Sequence, residues 1–220
     1  MSAEKARSDG AAEERAPMSL RERKKRLTYQ AVSDAAIALF LERGFDKVSV
    51  AEVAAAADIS KPTLFRYFPA KEDLALYRFA DHEDEAARVV AARPSGTSPL
   101  TALRAHFLDG LARRDPITGL CDAPEVRAYH ALLYDTPALV ARLHAYLSRS
   151  EAALAHALGD TPRARLAAGQ IIAVQRVLAS ENWRRVSEGA TADALYTEAV
   201  DAANFGFDQL AWGLEGRQGA

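Results

Sequence analysis

The sequence predicts an all-α protein of about nine helices, in which a short amino-terminal part precedes a longer helical body. Its apolar residues make up 49% of the 220 positions and are dominated by alanine and leucine, which favour helix. Residues that favour strands are too sparse for a large sheet. Glycines, prolines and capping residues divide the chain into segments of helical length.

The amino-terminal part contains three predicted helices. The first covers about residues 21–43 and ends at Gly44, and we place its apolar stripe at Leu27, Ala31, Ala35 and Leu39, with Phe40 beside it. The second runs over about residues 50–57 behind a Ser49 cap, with a buried stripe predicted at Val50, Val53, Ala54 and Ala57. The third is short, since Ser60 caps it, Pro62 lies in its first turn and Pro69 stops it.

The body continues with longer helices. They are predicted over about residues 71–92, 99–114 and 125–134, then from Pro137 to Gly159, from Pro162 to Gly189 and from Thr191 to about Leu214. Residues 116–124 are broken by proline and glycine and are expected to hold a turn. The first 20 residues are polar and small, which predicts a disordered arm.

Charge is distributed unevenly along the chain. Residues 21–71 carry ten basic and six acidic groups, whereas residues 72–220 carry fifteen basic and twenty acidic groups. A basic segment on an acidic body favours a polyanion-binding module, although charge runs are usually solvated surface. The predicted helices and the charge pattern divide the chain into an arm (1–20), a candidate polyanion-binding domain (21–72) and a helical body (73–220).

Composition and motifs also limit the function. The single cysteine, Cys121, excludes an intrachain disulfide and indicates a reducing, cytoplasmic setting. No apolar run is long enough for a membrane span, and the first 17 residues lack the apolar core of a secretory signal. Paired E-x-x-H motifs, a nucleophile elbow, a P-loop and a zinc cluster are absent from the sequence. We expect no cofactor, no metal site and no enzymatic activity.

Residues 49–68, SVAEVAAAADISKPTLFRYF, have the pattern of two short helices joined by a tight turn. Such a pair forms a helix-turn-helix when the first helix braces the second in the major groove of DNA. The turn needs a residue that tolerates positive φ, and Asp58 is one of the few types other than glycine that does. The exposed face of the second helix offers hydrogen-bond donors at Lys61, Thr63, Arg66 and Tyr67.

Residues 21–73 resemble the DNA-binding domain of the TetR family. The matching features are a basic start, A-x-x-L-F in the first helix, G-F-D-x-V-S-V, V-A-x-A-A-D-I-S at the turn and T-L-F-R-Y-F-P-x-K-E at the end. The match covers about a quarter of the chain. This sequence departs from the family pattern at Asp58, where glycine is usual, at Phe65, where tyrosine is common, and at Ala70, where a capping residue is usual. The last two departures put some backbone contacts in doubt.

The resemblance implies a set of DNA contacts. Lys61, Pro62 and Thr63 occupy positions that usually meet base edges, and Phe65, Arg66 and Tyr67 occupy positions that meet the backbone or groove wall. By position alone, Phe65 is equally compatible with the edge of the core. Lys71 and Ser49 resemble phosphate-contacting residues, and Ser49 also caps a helix. The predicted DNA-binding residues are Arg26, Ser49, Ser60, Lys61, Pro62, Thr63, Phe65, Arg66, Tyr67 and Lys71. The basic run at 21–26, which includes Arg26, is either a solvated helix start or a phosphate contact.

In this family the helical body binds a small molecule and forms a dimer. The last two predicted helices have wide apolar faces, which favours a homodimer interface there, or else burial of both faces within one subunit. Candidate pocket residues combine aromatic and polar types. They are Phe107, Tyr129, His130, Tyr134, His144, Gln170, Gln175 and Asn182. Residues 137–187 weakly resemble family members with acyl-CoA-like or other hydrophobic effectors.

The resemblance thus implies a transcription regulator with double-stranded operator DNA and a small-molecule effector as partners. Repression, with release of the operator when a small hydrophobic effector binds, is the usual outcome in the family. The alternatives are an enzyme built on a helical bundle, or an architectural protein that binds DNA without an effector. A tightly packed body without a cavity would favour the architectural protein.

Overall fold

A computed structural model describes residues 19–80 and 82–215 of the chain. These residues form ten α-helices, with no strand among them. The helices are α1 (Leu20–Arg43), α2 (Val50–Ala56), α3 (Lys61–Tyr67), α4 (Lys71–Ala80), α5 (Glu85–Ala91), α6 (Pro99–Ala112), α7 (Pro124–Asp135), α8 (Pro137–Ala157), α9 (Pro162–Ser187) and α10 (Ala192–Glu215). A 3₁₀ turn, Pro116–Thr118, lies between α6 and α7. The all-α prediction is confirmed, whereas most of the predicted amino-terminal arm lies outside the described residues.

Most predicted helix ends are confirmed because local capping determines them. The side chains of Ser49, Ser60, Ser98 and Thr161 each accept a hydrogen bond from a backbone N–H in the first turn of α2, α3, α6 and α9. Proline occupies the first turn of five helices, where its missing N–H costs little.

The single helix predicted over residues 71–92 is wrong, because the structure divides it into α4 and α5. Tight backbone bonds interrupt the helical pattern, from His82 N–H to the Phe79 carbonyl at 2.9 Å and from Glu85 N–H to the His82 carbonyl at 3.2 Å. Side chains here are held by other elements, since Glu83 pairs with Arg149 of α8. These tertiary contacts offset the hydrogen bonds lost from a continuous helix.

The predicted apolar stripe of α1 is also corrected. Leu27 and Ala31 are exposed, and the buried apolar residues of this helix are Val32, Ala36, Ile37 and Phe40. A strict repeat of four advances by about 40° at each step on a helix of 3.6 residues per turn. The four predicted positions therefore drift off one face, whereas mixed spacings of three and four stay on it.

Two hydrophobic cores organise the protein. The first joins the buried faces of α1–α4 to Tyr129 and Leu133 of α7 and to Leu139, Leu143 and Tyr146 of α8. The second lies among α5, α6, α8, α9 and α10. The first core therefore continues across the predicted boundary at residue 72.

Helix α4 is attached on both sides by buried hydrogen bonds to its backbone. Ser33 of α1 donates to the carbonyl oxygen of Leu74 at 2.7 Å. The hydroxyl of Tyr129 on α7 donates to the neighbouring carbonyl of Ala75 at 2.6 Å. Buried hydroxyls are costly without a partner, so these two bonds fix the position of α4 relative to both α1 and α7.

Candidate nucleic-acid interface and internal pocket

Helices α2 and α3 form the predicted two-helix unit. Asp58 lies in the turn between them at φ 52°, which confirms the predicted left-handed conformation. The Ser49 hydroxyl accepts from the Glu52 N–H, and the Glu52 carboxylate accepts from the Ser49 N–H at 2.7 Å. Hydrogen bonds from the Ser49 backbone and side chain and from Arg43 lower the pKa of Glu52 to about 2. The start of α2 is thereby fixed relative to the end of α1.

Helix α3 has one buried and one exposed side. Leu64 is fully buried in the first core, and Phe68 lies in the same core. Tyr67 is half-buried and packs edge-on against Tyr29 of α1, with 4.9 Å between ring centroids. Phe68 also contacts Tyr29, at 5.2 Å. These contacts set the rotation of α3, because they hold its carboxyl end against α1.

The exposed side of α3 carries Lys61, Pro62, Phe65 and Arg66. The ammonium of Lys61 lies 5.9 Å from the ring centre of Phe65, and Arg66 lies 5.5 Å from that of Tyr67. The hydroxyls of Ser60 and Thr63 are 2.8 Å apart, so the two predicted contacts at the start of the helix are coupled to each other. Two cations and an exposed aromatic ring therefore share one helix face.

The remaining predicted contacts surround this face. Arg26 and Ser49 are exposed. Lys71 is half-buried, and its ammonium donates to the carbonyl of Phe45 at 2.5 Å and lies 4.2 Å from the ring centre of Phe45. Two further donors of the Lys71 ammonium remain beyond this bond.

A pocket of about 240 Å³ lies in the body and is lined by residues of helices α4 to α9. Five of the predicted pocket residues line it: Phe107, His130, Tyr134, His144 and Gln175. Three others lie outside the lining, two because hydrogen bonds hold them elsewhere and one because it is exposed to solvent. Tyr129 donates to the backbone of α4, the Asn182 amide donates to the Thr118 carbonyl at 2.9 Å, and Gln170 is exposed.

Sequence reasoning missed several lining residues. They are His82, Glu85, His106, Tyr146, Ser150, Arg176 and Trp183. Trp183 carried only a general signal, since large aromatic side chains contribute much of the buried area in cores and interfaces. Glu85 carried none, because only the break between α4 and α5 brings it to the lining.

Three of the missed residues form a His–Glu–His cluster at the α4–α5 break. One oxygen of Glu85 lies 2.8 Å from His82 Nδ1, and the other lies 3.1 Å from His106 Nε2. Burial alone would raise the pKa of Glu85, but hydrogen bonds from His106 and His82 hold it well below its usual value. The bond to Glu85 raises the pKa of His106. The cluster connects α5, α6 and the α4–α5 break through charge-assisted hydrogen bonds.

Within the described ranges, no group of three or more histidine, cysteine, aspartate or glutamate side chains is arranged to hold a metal ion. No helix in those ranges combines the length and the hydropathy of a membrane span.

The chain is similar in sequence to known bacterial regulators. Residues 32–77 match the model described as bacterial regulatory proteins, tetR family. The chain is 34% identical over 133 residues to the HTH-type transcriptional regulator TcmR of Streptomyces glaucescens, covering 60% of this chain and 58% of TcmR. It is 31% identical over 120 residues to MftR of Mycobacterium tuberculosis, covering 51% of this chain and 61% of MftR. The matches thus span about three fifths of these relatives.

The fold is also similar to that of solved structures. NalD of Pseudomonas aeruginosa, the secondary repressor of the MexAB-OprM multidrug efflux pump, aligns with a TM-score of 0.54 and 18% identity, over 83% of this chain and 96% of NalD. A regulator of Mesorhizobium loti assigned to the same family aligns with a TM-score of 0.53 and 17% identity, over 86% of this chain and 96% of that one. The helix-turn-helix geometry, the family-model match over residues 32–77 and these relatives agree that the amino-terminal part of the chain is similar to the DNA-binding part of TetR-family regulators, and the fold of the chain is similar to that of NalD.

Proposed function

We propose that this protein is a sequence-specific DNA-binding transcription regulator that represses its target and leaves the operator when a small effector binds in the body. The observation that carries the proposal is the exposed face of α3, where Lys61, Phe65 and Arg66 lie side by side on a helix braced by α2. A helix presented in this way fits the major groove. The proposed setting is the bacterial cytoplasm.

The roles on DNA follow from position and chemistry. Lys61, Pro62 and Thr63 lie at the start of α3, where base edges are read, and Phe65, Arg66 and Tyr67 lie nearer the groove wall. Arg26, Ser49, Ser60 and Lys71 are proposed phosphate contacts, which supply affinity and salt dependence but not sequence choice.

A homodimer would place two copies of α3 in successive major grooves, about 34–36 Å apart. The dimer surface is proposed on α9 and α10, where Val177, Phe205 and Trp212 are exposed although large and apolar. Exposed apolar side chains of this size on neighbouring helices are typical of an interface between subunits.

The pocket and α4 suggest how an effector would act. Phe79 of α4 lines the pocket, and α4 is hydrogen-bonded to α1 through Ser33 and to α7 through Tyr129. A ligand that moves Phe79 would move α4 and change the separation of the two α3 helices. By linkage, operator DNA must weaken effector binding by the same factor.

The proposal is tested by operator selection from genomic DNA with the purified protein, including the region upstream of its own gene. We expect a short pseudo-palindrome. Lys61→Ala and Arg66→Ala should each weaken its binding roughly 10- to 100-fold, since each removes about 1–3 kcal/mol of base or phosphate contact. Arg165→Ala is the matched control, because Arg165 is an exposed arginine of α9 outside the proposed DNA-binding residues, and this variant should bind as the parent does. Binding without sequence preference, or equal loss in the control, would contradict the proposal.

A further inference from the structure

Three polar side chains in the pocket wall are more than nine-tenths buried and lack well-formed hydrogen bonds. His130, Tyr146 and Ser150 are 6%, 7% and 7% exposed. His130 Nδ1, Tyr146 Oη and Ser150 Oγ make no well-formed hydrogen bond among the described residues, and the hydroxyls of Tyr146 and Ser150 lie close enough to interact only with each other. Leaving such atoms unpaired is costly, so in native proteins an ordered water or a bound ligand usually completes their hydrogen bonds. All three residues line the same pocket.

These three groups are electrically neutral. Burial lowers the pKa of His130 to about 4 and raises that of Tyr146 above its usual value, so the imidazole and the phenol are both uncharged near neutral pH. Ser150 lies one turn beyond Tyr146 on α8, which places their hydroxyls on the same side of the helix. Neutral hydroxyl and imidazole groups both donate and accept hydrogen bonds, and they match hydroxyl and carbonyl groups of a ligand.

Apart from Arg176, the acidic groups and the charged cluster of the pocket wall already have partners. Glu85 is compensated within the His–Glu–His cluster. Glu83 pairs with Arg149 at 2.8 Å, and Asp115 lies 3.6 Å from Arg113. Arg176, which also lines the pocket, has no ion pair among the described residues, but its side chain is exposed to solvent. An anionic ligand could therefore pair only with the exposed Arg176, and an ionised group deeper in the pocket would lose its hydration for little compensation.

Aromatic rings dominate the apolar part of the wall. Phe79, Phe107, Tyr134, Tyr146 and Trp183 all line the pocket. Trp183 and His130 are in edge-to-face contact, with 4.6 Å between their centroids. Rings in such arrangements attract a further ring placed by its face or edge, beyond simple burial of area. The volume of about 240 Å³ limits the ligand to a compact molecule.

We propose that the pocket binds a compact, uncharged aromatic molecule whose hydroxyl or carbonyl groups hydrogen-bond with His130, Tyr146 and Ser150. This inference rests on the proposed function, because it assigns the chemistry of the effector. It makes Tyr146 and Ser150 of α8 specificity-determining residues.

The test uses the full-length protein and calorimetric titration with four probes. Naphthalene-1,5-diol is aromatic, neutral and hydroxylated, naphthalene lacks the hydroxyls, 2-naphthoate is an anion, and decanoate is an aliphatic anion. We expect the diol to bind at least about tenfold more tightly than each of the others. Equal or tighter binding of either anion, or no binding of the diol up to its solubility, would overturn the inference.

Variants then assign the binding to the named groups. Tyr146→Phe and Ser150→Ala each remove one hydroxyl with little change of shape, and each should weaken diol binding about fivefold while leaving naphthalene binding unchanged. Ser148→Ala is the matched control, because Ser148 is exposed on the same helix and donates to the His144 carbonyl. An equal loss for diol and naphthalene would show that the hydroxyls act only through packing.

The parent protein without any probe is assayed on operator DNA in parallel. If it recovers an operator while the pocket prefers anions, the inference fails and the proposed function stands. If it recovers no operator, the proposed function fails whatever the pocket binds.

Discussion

Protonation of His130 and of the His–Glu–His cluster affects the stability of the fold in opposite ways, although both line the same pocket. The pKa of His106 is raised above 6.5, so its contribution to stability is fully present below that pH and is lost as the pH rises through the folded value. The pKa of Glu85 is lowered, so its contribution is present above about pH 4.5 and is lost as the pH falls through the folded value. The cluster is therefore most stabilising between those two pH values.

Between about pH 4.5 and pH 6.5, where the cluster stabilises the fold most, His130 lowers the stability as the pH falls. Its pKa is lowered from 6.5 to about 4 by burial, so the unfolded chain takes up a proton that the folded protein does not. Stability consequently falls as the pH drops from 6.5 toward 4, by at most about 1.4 kcal/mol per pH unit.

Replacement of His130 by phenylalanine should remove this acid sensitivity while keeping a ring against Trp183. Between about pH 7.5 and pH 5, we expect His130→Phe to lose roughly 2 kcal/mol less of its free energy of unfolding than the parent loses. Urea denaturation at both pH values measures the difference. His156→Phe, at an exposed position of α8, controls for the loss of a histidine. Identical losses in parent and His130→Phe would contradict the assignment.

At the scale of elements, the 3₁₀ turn depends on a close approach to α9. Gly119 follows this turn at φ +72°, and a Cβ built there would lie 2.0 Å from the carbonyl oxygen of Ala179. Asn182 of α9 donates to the Thr118 carbonyl and fixes the same contact. The turn forms one wall of the pocket, so its packing on α9 also shapes the ligand site.

Gly119→Ala should therefore destabilise the protein by roughly 3 kcal/mol or more, because backbone atoms of α9 must move. Gly159→Ala is the matched control. Gly159 has φ +107°, but a Cβ there meets nothing within 4 Å. We expect the control to cost only about 1–2 kcal/mol of backbone strain. Chemical denaturation compares the two, and similar losses would show that the approach to Ala179 relaxes freely.

Helix ends could be predicted from the sequence, whereas the α4–α5 break and part of the pocket could not. Helix ends were predictable because Ser49, Ser60 and the first-turn prolines act within a few residues. The break between α4 and α5 was not, since the partners of Glu83 and Glu85 lie on α8 and α6, distant along the chain. The pocket was predictable only in part. Phe107 and His130 stand out in the sequence as large or polar residues in apolar segments. Ser150 can be recognised as a pocket residue only from the structure, where its buried hydroxyl makes no well-formed hydrogen bond.

At the scale of the whole molecule, the exposed apolar residues of α9 and α10 bear on assembly. Phe205 is 65% exposed and Trp212 is 84% exposed. Both lie on α10, whose opposite face packs in the second core. Water contact with rings of this size is unfavourable, and a second copy of the chain would remove it.

Phe205→Glu should weaken the proposed dimer by about 100-fold or more, because a carboxylate would replace a large exposed ring of the proposed interface and be desolvated there. Sedimentation velocity over a range of protein concentrations measures the change. Leu41→Glu introduces the same charge at an exposed apolar position of α1 and should leave association unchanged. A parent protein that is monomeric throughout the range would contradict the proposed dimer.

The first hydrophobic core has a practical consequence for engineering. Since α1–α4 share this core with Tyr129, Leu133 and Tyr146 of α7 and α8, residues 21–72 fused to a foreign sensor body would lose part of their own packing. Chimeric regulators built by cutting at residue 72 should fold poorly unless the new body reproduces that surface. Exchanging the outward side chains of α3 is the conservative way to redirect this protein to another operator, because none of those side chains belongs to the shared core.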